Sequence, residues 1–158
     1  MRIEFFHKIL SVDSTSGKEA ELVDLLAVEL AAEGRKVETF EVGDGTRNLL
    51  VSWGTPKVVF CTHLDTVPPY IPPTSDGTCI HGRGTNDAKG QIFAMYEACK
   101  VLESRGYDGF GLLLLAGEET GSYGAKAFNR MALSEGFDKI APDAWVIVGE
   151  PTDNCMAS

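Results

Sequence analysis

Basic residues are scarce in this chain, with 14 Lys and Arg against 23 Asp and Glu and a net charge of −9. Without a basic stripe to meet phosphates, a nucleic-acid partner is not expected. Long apolar runs are missing too. No stretch approaches the roughly 18 residues that a membrane helix needs, so no membrane partner is expected either. The first ten residues carry charges inside their apolar part and no small-residue cleavage site, and so read as an amphipathic helix rather than an export signal. The four cysteines, Cys61, Cys79, Cys99 and Cys155, show no C-x-x-C spacing, which fits reduced thiols in a cytoplasmic protein. There are three histidines, and none follows His81. Both phosphate-loop patterns are absent: Asp87 stands where the third glycine of G-x-G-x-x-G would fall, and there is no G-x-x-x-x-G-K-[ST]. An acid in such a loop repels phosphate and suits a metal. No internal repeat, low-complexity tract or interdomain linker interrupts the chain.

The 158 residues, 44% of them hydrophobic and 23% charged, are the size and composition of one domain with a real core. After the first helix, Ser16-Gly17-Lys18-Glu19 has capping-box form, with the serine placed to accept a backbone N–H three residues on. Val23, Leu26, Ala27 and Leu30 follow at helical spacing, and Gly34 offers a stop. Residues 35–42 and 47–53 read as strands around Gly43-Asp44-Gly45, and Lys57 to Cys61 as a short buried strand. Pro68 to Arg83 reads as a long loop with one weak strand candidate at 78–81. Ala88 to Ser104 reads as a helix facing the core with Ile92, Met95, Tyr96, Cys99 and Leu102. A strand at 110–116, a helix from Gly121 to about Leu133 and a strand at 144–148 complete a parallel β-α-β-α-β pattern. The last eight residues are too few for another layer. The fold class expected is α/β: a three-layer sandwich with a mostly parallel central sheet flanked by helices.

Three of these strands end in acids or histidine: Thr62-His63-Leu64-Asp65, Gly117-Glu118-Glu119 and Gly149-Glu150-Pro151. A fourth segment, Gly82-Arg83-Gly84-Thr85-Asn86-Asp87, opens a helix. In open α/β sheets the ligand crevice lies at the carboxyl rim of the strands. One histidine and several carboxylates gathered there repel one another unless a cation sits among them, so the economical reading is a metal site. His63 and Asp65, two apart, leave the same face of an extended backbone, and a metal-binding imidazole commonly gives its other N–H to a carboxylate or carbonyl. Taken alone, His63 also reads as a hydrogen-bonded core residue, and Asp87 as an acid favoured at a helix N-terminus. Glu118 and Glu119 would point to opposite faces of a regular strand, so both serve one site only if the chain is already turning, which Gly117 and Gly121 allow. One of the pair is then available as a ligand and the other as a proton acceptor, or both are simply solvated. Glu150 carries the weakest individual signal. Cys61 reads as a buried strand cysteine before a soft ligand. A Cys–His nucleophile is disfavoured, because the acids would raise the thiol pKa. His7 and His81 have no comparable cluster.

In their order, Thr62-His63-Leu64-Asp65-Thr66-Val67-Pro68, Gly82-Arg83-Gly84-Thr85-Asn86-Asp87-Ala88-Lys89-Gly90, Glu118-Glu119-Thr120-Gly121-Ser122-Tyr123-Gly124-Ala125 and Gly149-Glu150-Pro151-Thr152 resemble the successive signatures of one family. It is the dinuclear zinc deacylase and exopeptidase family of acetylornithine deacetylase, succinyl-diaminopimelate desuccinylase, aminoacylase and carboxypeptidase G. The resemblance implies two zinc ions per complete site, with cobalt or manganese as substitutes. It implies His63 and Glu150 on the first metal, Asp87 bridging both, Glu119 on the second, Glu118 as general base and acid, and Asp65 orienting His63. The implied reaction is hydrolysis of an amide beside a free carboxylate. Glu118 takes a proton from the attacking water and returns it to the leaving amine. The expected substrate is an N-acyl amino acid, as for acetylornithine deacetylase in arginine biosynthesis, with a dipeptidase or carboxypeptidase as the alternative. Family members are considerably longer. They add a C-terminal histidine on the second metal and an inserted domain that helps bind substrate and forms a homodimer. The chain is therefore expected to be an N-terminal portion of the catalytic domain, with a non-catalytic zinc-binding remnant as the alternative, and to have an exposed sheet edge and poor solubility.

Overall fold

A computed structural model describes residues 2–32, 34–43 and 45–152. Cys155, Asp44 and the last six residues of the chain lie outside the described set. In chain order the elements are α1 (Arg2–Leu10), α2 (Ala20–Glu29), β1 (Lys36–Gly43), β2 (Thr46–Trp53), β3 (Val58–His63), β4 (Thr74–Ser75), β5 (Ile80–His81), α3 (Lys89–Ser104), β6 (Phe110–Leu115), α4 (Tyr123–Ala132) and β7 (Trp145–Val148). Each element anticipated from the periodicity is present, with ends shifted by a few residues. Helix α2 stops at Glu29, before Gly34, and β3 runs two residues past Cys61 to include His63. The proline-rich loop contains a small antiparallel pair, β4 with β5.

The five main strands form one sheet in the order β1-β2-β6-β3-β7. The pairs β6–β3 and β3–β7 are parallel, whereas β1–β2 and β2–β6 are antiparallel. The sheet is thus evenly mixed, because the short β1–β2 connection permits only a hairpin while the strands joined through α3 and α4 must run the same way.

Side-chain alternation along the strands divides the core in two. Leu49, Val51, Phe110, Leu112 and Leu114 pack beneath α1, α2 and α3, with Ile9, Leu26, Ile92 and Cys99 contributed by those helices. On the opposite face Leu50, Val59, Cys61 and Leu113 meet Phe128 of α4. Continuous burial along β2 and β6 places apolar residues on both faces, as a sheet covered on both sides requires. The result is the expected three-layer arrangement. It leaves the carboxyl ends of β3, β6 and β7 on one rim.

Candidate metal centre

His63 closes β3, Glu118 and Glu119 follow β6 after the turn at Gly117, and Glu150 follows β7. Asp87 comes from the loop that enters α3. The parallel pairing of β3 with β6 and β7 aligns three of these four segments without any contact between them in sequence.

The His63 imidazole is 2% exposed. Its Nδ1–H donates to the Asp65 carbonyl at 2.9 Å, with Asp65 Oδ1 at 3.4 Å, and its Nε2 lies 2.8 Å from Asp87 Oδ1. Burial alone would lower the imidazole pKa, but the hydrogen bonds and charges of Asp65 and Asp87 outweigh it and raise the pKa to about 9. With Nδ1 committed to the Asp65 carbonyl, Nε2 is the nitrogen facing the acids. A proton and a divalent cation compete for that one lone pair.

Two sets of ligand atoms, each within 4.8 Å of one another, share this imidazole: His63 with Asp87 and Glu150, and His63 with Glu118 and Glu119. Burial and the neighbouring carboxylates push the Glu119 and Glu150 pKa values up against the opposing pull of His63. Carboxylates that raise one another's proton affinity are the environment a cation relieves. Glu118 and Glu119 both reach the site because the chain leaves the strand at once. Gly117 takes φ +64°, and the N–H groups of Gly121 and Ser122 both fold back to the Glu118 carbonyl.

The other two arms are fixed by backbone contacts. Gly149 donates its N–H to the Cys61 carbonyl at 2.8 Å and accepts Thr62 Oγ1 at 3.0 Å, which seats Glu150 beside the end of β3. The Asp87 loop closes through Gly90 N–H to the Gly84 carbonyl at 3.1 Å. A Cβ on Gly90 would stand 2.4 Å from the Thr85 carbonyl oxygen, so only glycine lets the first turn of α3 pass under that loop. Beneath it Lys89 is 1% exposed, donates to the Val12 carbonyl at 2.6 Å, and has its pKa lowered by burial to about 8 despite Asp13.

The structure brings together all six residues singled out from the sequence: His63, Asp65, Asp87, Glu118, Glu119 and Glu150. Asp65 is wholly buried, and its carboxylate faces more than the histidine: it also accepts the N–H groups of Glu118 at 2.9 Å and Glu119 at 3.1 Å, and the Ser16 hydroxyl at 2.7 Å. The capping box expected at Ser16 is not made. Ser16 turns to Asp65, and α2 begins without a side-chain cap, its N-cap being Glu19. Glu19 is itself fully buried and accepts the N–H groups of Gly17 and Gly117. Sequence reasoning missed Ser16, Glu19 and Lys89 as neighbours of the site. A pattern that also fits local capping carries no signal for a long-range bond. Cys61 is buried, with its thiol pushed up to about 12 by burial first and Glu150 second, so a protonated strand thiol is what the fold holds. His81 pairs with Asp76 at 3.0 Å on the exposed β4–β5 hairpin, away from this cluster.

No helix among the described residues is long and apolar enough to cross a membrane. Comparison with known proteins agrees with the motifs. A probable carboxypeptidase of Aspergillus flavus is 33% identical over 178 aligned residues, which take in 99% of this chain and 40% of that protein. Human carnosine dipeptidase 1 superposes with a TM-score of 0.77 at 17% identity, over 94% of this chain and 38% of that one. An M20 family metallo-carboxypeptidase from Sulfolobus solfataricus superposes with a TM-score of 0.73 at 20% identity, over 93% of this chain and 36% of that one. The chain therefore spans about 40% of the length of the curated relative it matches. The family model described as Peptidase family M20/M25/M40 matches residues 59–156, which carry the four arms of the cluster, and the chain belongs to that family.

Proposed function

We propose that this chain is the N-terminal part of the catalytic domain of a zinc metallopeptidase that hydrolyses short peptides, of carboxypeptidase or dipeptidase type, in the cytoplasm. The observation that carries the reading is the His63 imidazole shared by two sets of possible ligands, Asp87 with Glu150 and Glu118 with Glu119. Imidazole with carboxylates suits zinc, and cobalt or manganese can occupy the same donors. His63, Asp87 and Glu150 would hold one ion, and Asp87 with Glu119 a second.

When bound, zinc supplies Lewis-acid polarisation of the scissile carbonyl and makes water a better nucleophile at neutral pH. The chain's own groups do the rest. The Asp65 carbonyl holds the Nδ1–H of His63 so that Nε2 faces the acids. Glu118, exposed at the rim, takes the proton of the attacking water and delivers it to the leaving amine. An N-acyl amino acid and a dipeptide present the same amide beside a free carboxylate. The names of the relatives, a carboxypeptidase and a dipeptidase, favour the peptide over the acetylornithine-like substrate anticipated from the motifs.

The test is a zinc titration of the metal-stripped protein by calorimetry, followed by assays on unblocked dipeptides and on acetylornithine. Zinc is expected to bind the native chain tightly and to bind His63→Ala far more weakly, and dipeptides are expected to turn over faster than acetylornithine. Equal zinc affinity in both proteins overturns the metal centre. Faster acetylornithine hydrolysis restores the deacylase reading, and tight zinc without turnover of either substrate identifies a non-catalytic remnant.

A further inference from the structure

Three consecutive peptide N–H groups, those of Gly117, Glu118 and Glu119, each point at a fully buried carboxylate. Gly117 donates to Glu19 Oε1 at 3.2 Å, Glu118 to Asp65 Oδ1 at 2.9 Å and Glu119 to Asp65 Oδ2 at 3.1 Å. Ser16 Oγ adds a bond to the same Asp65 Oδ2 at 2.7 Å. The glutamate pair is thus held by its backbone, which leaves both side chains free to face the cleft. Two of the four bonds come from the loop between α1 and α2, outside the stretch that carries the motifs.

We propose that Ser16 and Glu19 are positioning residues for the Glu118–Glu119 arm, fixing it beside His63 and Asp87 where Glu119 would join Asp87 on the second ion. The inference rests on the metal reading above. Glu19 spans Gly17 N–H and Gly117 N–H with its two oxygens, tying the loop to the turn after β6. Ser16 donates to Asp65 Oδ2, the same oxygen that accepts the Glu119 N–H. The loop itself does not depend on these side chains. Its backbone is already paired with the segment after β3, through Thr66 N–H to the Ser14 carbonyl at 3.0 Å and Ser16 N–H to the Thr66 carbonyl at 3.2 Å. Ser14 Oγ also donates to the Leu64 carbonyl at 2.9 Å, and Lys89 anchors Val12. Removing the Ser16 hydroxyl or one Glu19 oxygen therefore leaves the loop in place and loosens only what it holds.

The test compares the wild-type chain with Ser16→Ala, Ser16→Thr and Glu19→Gln by cobalt titration, following the visible absorption bands of the bound ion and the heat of binding. Because the Glu118–Glu119 arm serves only one of the two ion positions, Ser16→Ala and Glu19→Gln are expected to weaken one class of binding by about tenfold, the scale on which outer-shell hydrogen bonds act. The other class and the thermal midpoint of the metal-free protein should stay near wild type. Ser16→Thr, which keeps the hydroxyl, should restore wild-type binding and spectrum. Wild-type binding in both Ser16→Ala and Glu19→Gln overturns the inference. So does a collapse of the metal-free fold in Ser16→Ala, or a failure of Ser16→Thr to rescue, since either shows a purely structural role. Absence of cobalt binding in the wild type is a different result: it removes the metal centre and this inference with it.

Discussion

Glu118 and Glu119 are chemically identical neighbours at the mouth of the site. Both lie at the exposed rim, but the Glu119 carboxyl is pushed above the usual range by burial and by Asp87, Glu118 and Asp65 around it. A carboxylate crowded by others gains most from a cation, which supports the proposed assignment of Glu119 as the ligand of the pair and Glu118 as the proton carrier. Glu119→Ala is expected to weaken zinc binding by about tenfold or more, a loss on the order of 1.4 kcal/mol. Glu118→Ala should leave zinc affinity within about threefold, under 1 kcal/mol, while abolishing peptide hydrolysis by the loaded enzyme. Calorimetric titration of the two variants checks this, and the reverse pattern exchanges their roles.

Between elements, an ionic junction joins the end of α3 to the sheet and to the turn after α2. Glu103 on α3 accepts Arg35 Nε at 2.7 Å and the Trp53 Nε1–H of β2 at 2.8 Å, while the Arg35 guanidinium lies over the Trp53 ring at 5.3 Å. The Arg35 hydrogen bond, aided by Trp53, holds the Glu103 carboxyl below its ordinary 4.5 against the cost of burial. A carboxyl with a lowered folded pKa contributes stability above its unfolded pKa and loses it as pH falls through the folded value. Glu103→Gln is therefore expected to cost about 1 kcal/mol at pH 7, a modest figure because Glu103 is a third exposed and screened by solvent. The difference should vanish in acid below the folded pKa. Paired urea melts at the two pH values measure it.

At the scale of the molecule, the sheet is covered unevenly. The helices bury β2 and β6, but β7 exposes all four of its residues, Trp145 at 78%, Val146 at 56%, Ile147 at 48% and Val148 at 62%. Their alternation puts Val146 beside an apolar hollow of about 360 Å³ that Phe128, Phe137 and Ile140 also line. An uncovered, apolar edge strand is a template for pairing with another chain. Solutions of the 158-residue chain are expected to self-associate. Trp145→Lys combined with Ile147→Lys should raise the monomer fraction in size-exclusion and light-scattering measurements, with little change in the thermal midpoint, because both side chains are already exposed.

Local pattern was enough to determine the helices and strands, the three-layer class and the residues that converge at the rim. His63, Asp87, Glu118, Glu119 and Glu150 were legible because each ends or opens an element, and the ends of parallel strands must share a rim. The even mixture of parallel and antiparallel pairs was less legible, since periodicity reports which face of a strand is buried and says nothing of its neighbour. Ser16, Glu19 and Lys89 were not legible as parts of the site. Ser16 and Glu19 satisfy a local helix-capping rule on paper, and only the packing of the α1–α2 loop against β3 and β6 turned them toward Asp65 and Gly117 instead. Sequence spacing determines bonds made within a turn of chain. Bonds across 49 or 98 residues, such as those of Ser16 and Glu19, are decided by the tertiary structure, because only folding brings their partners within reach.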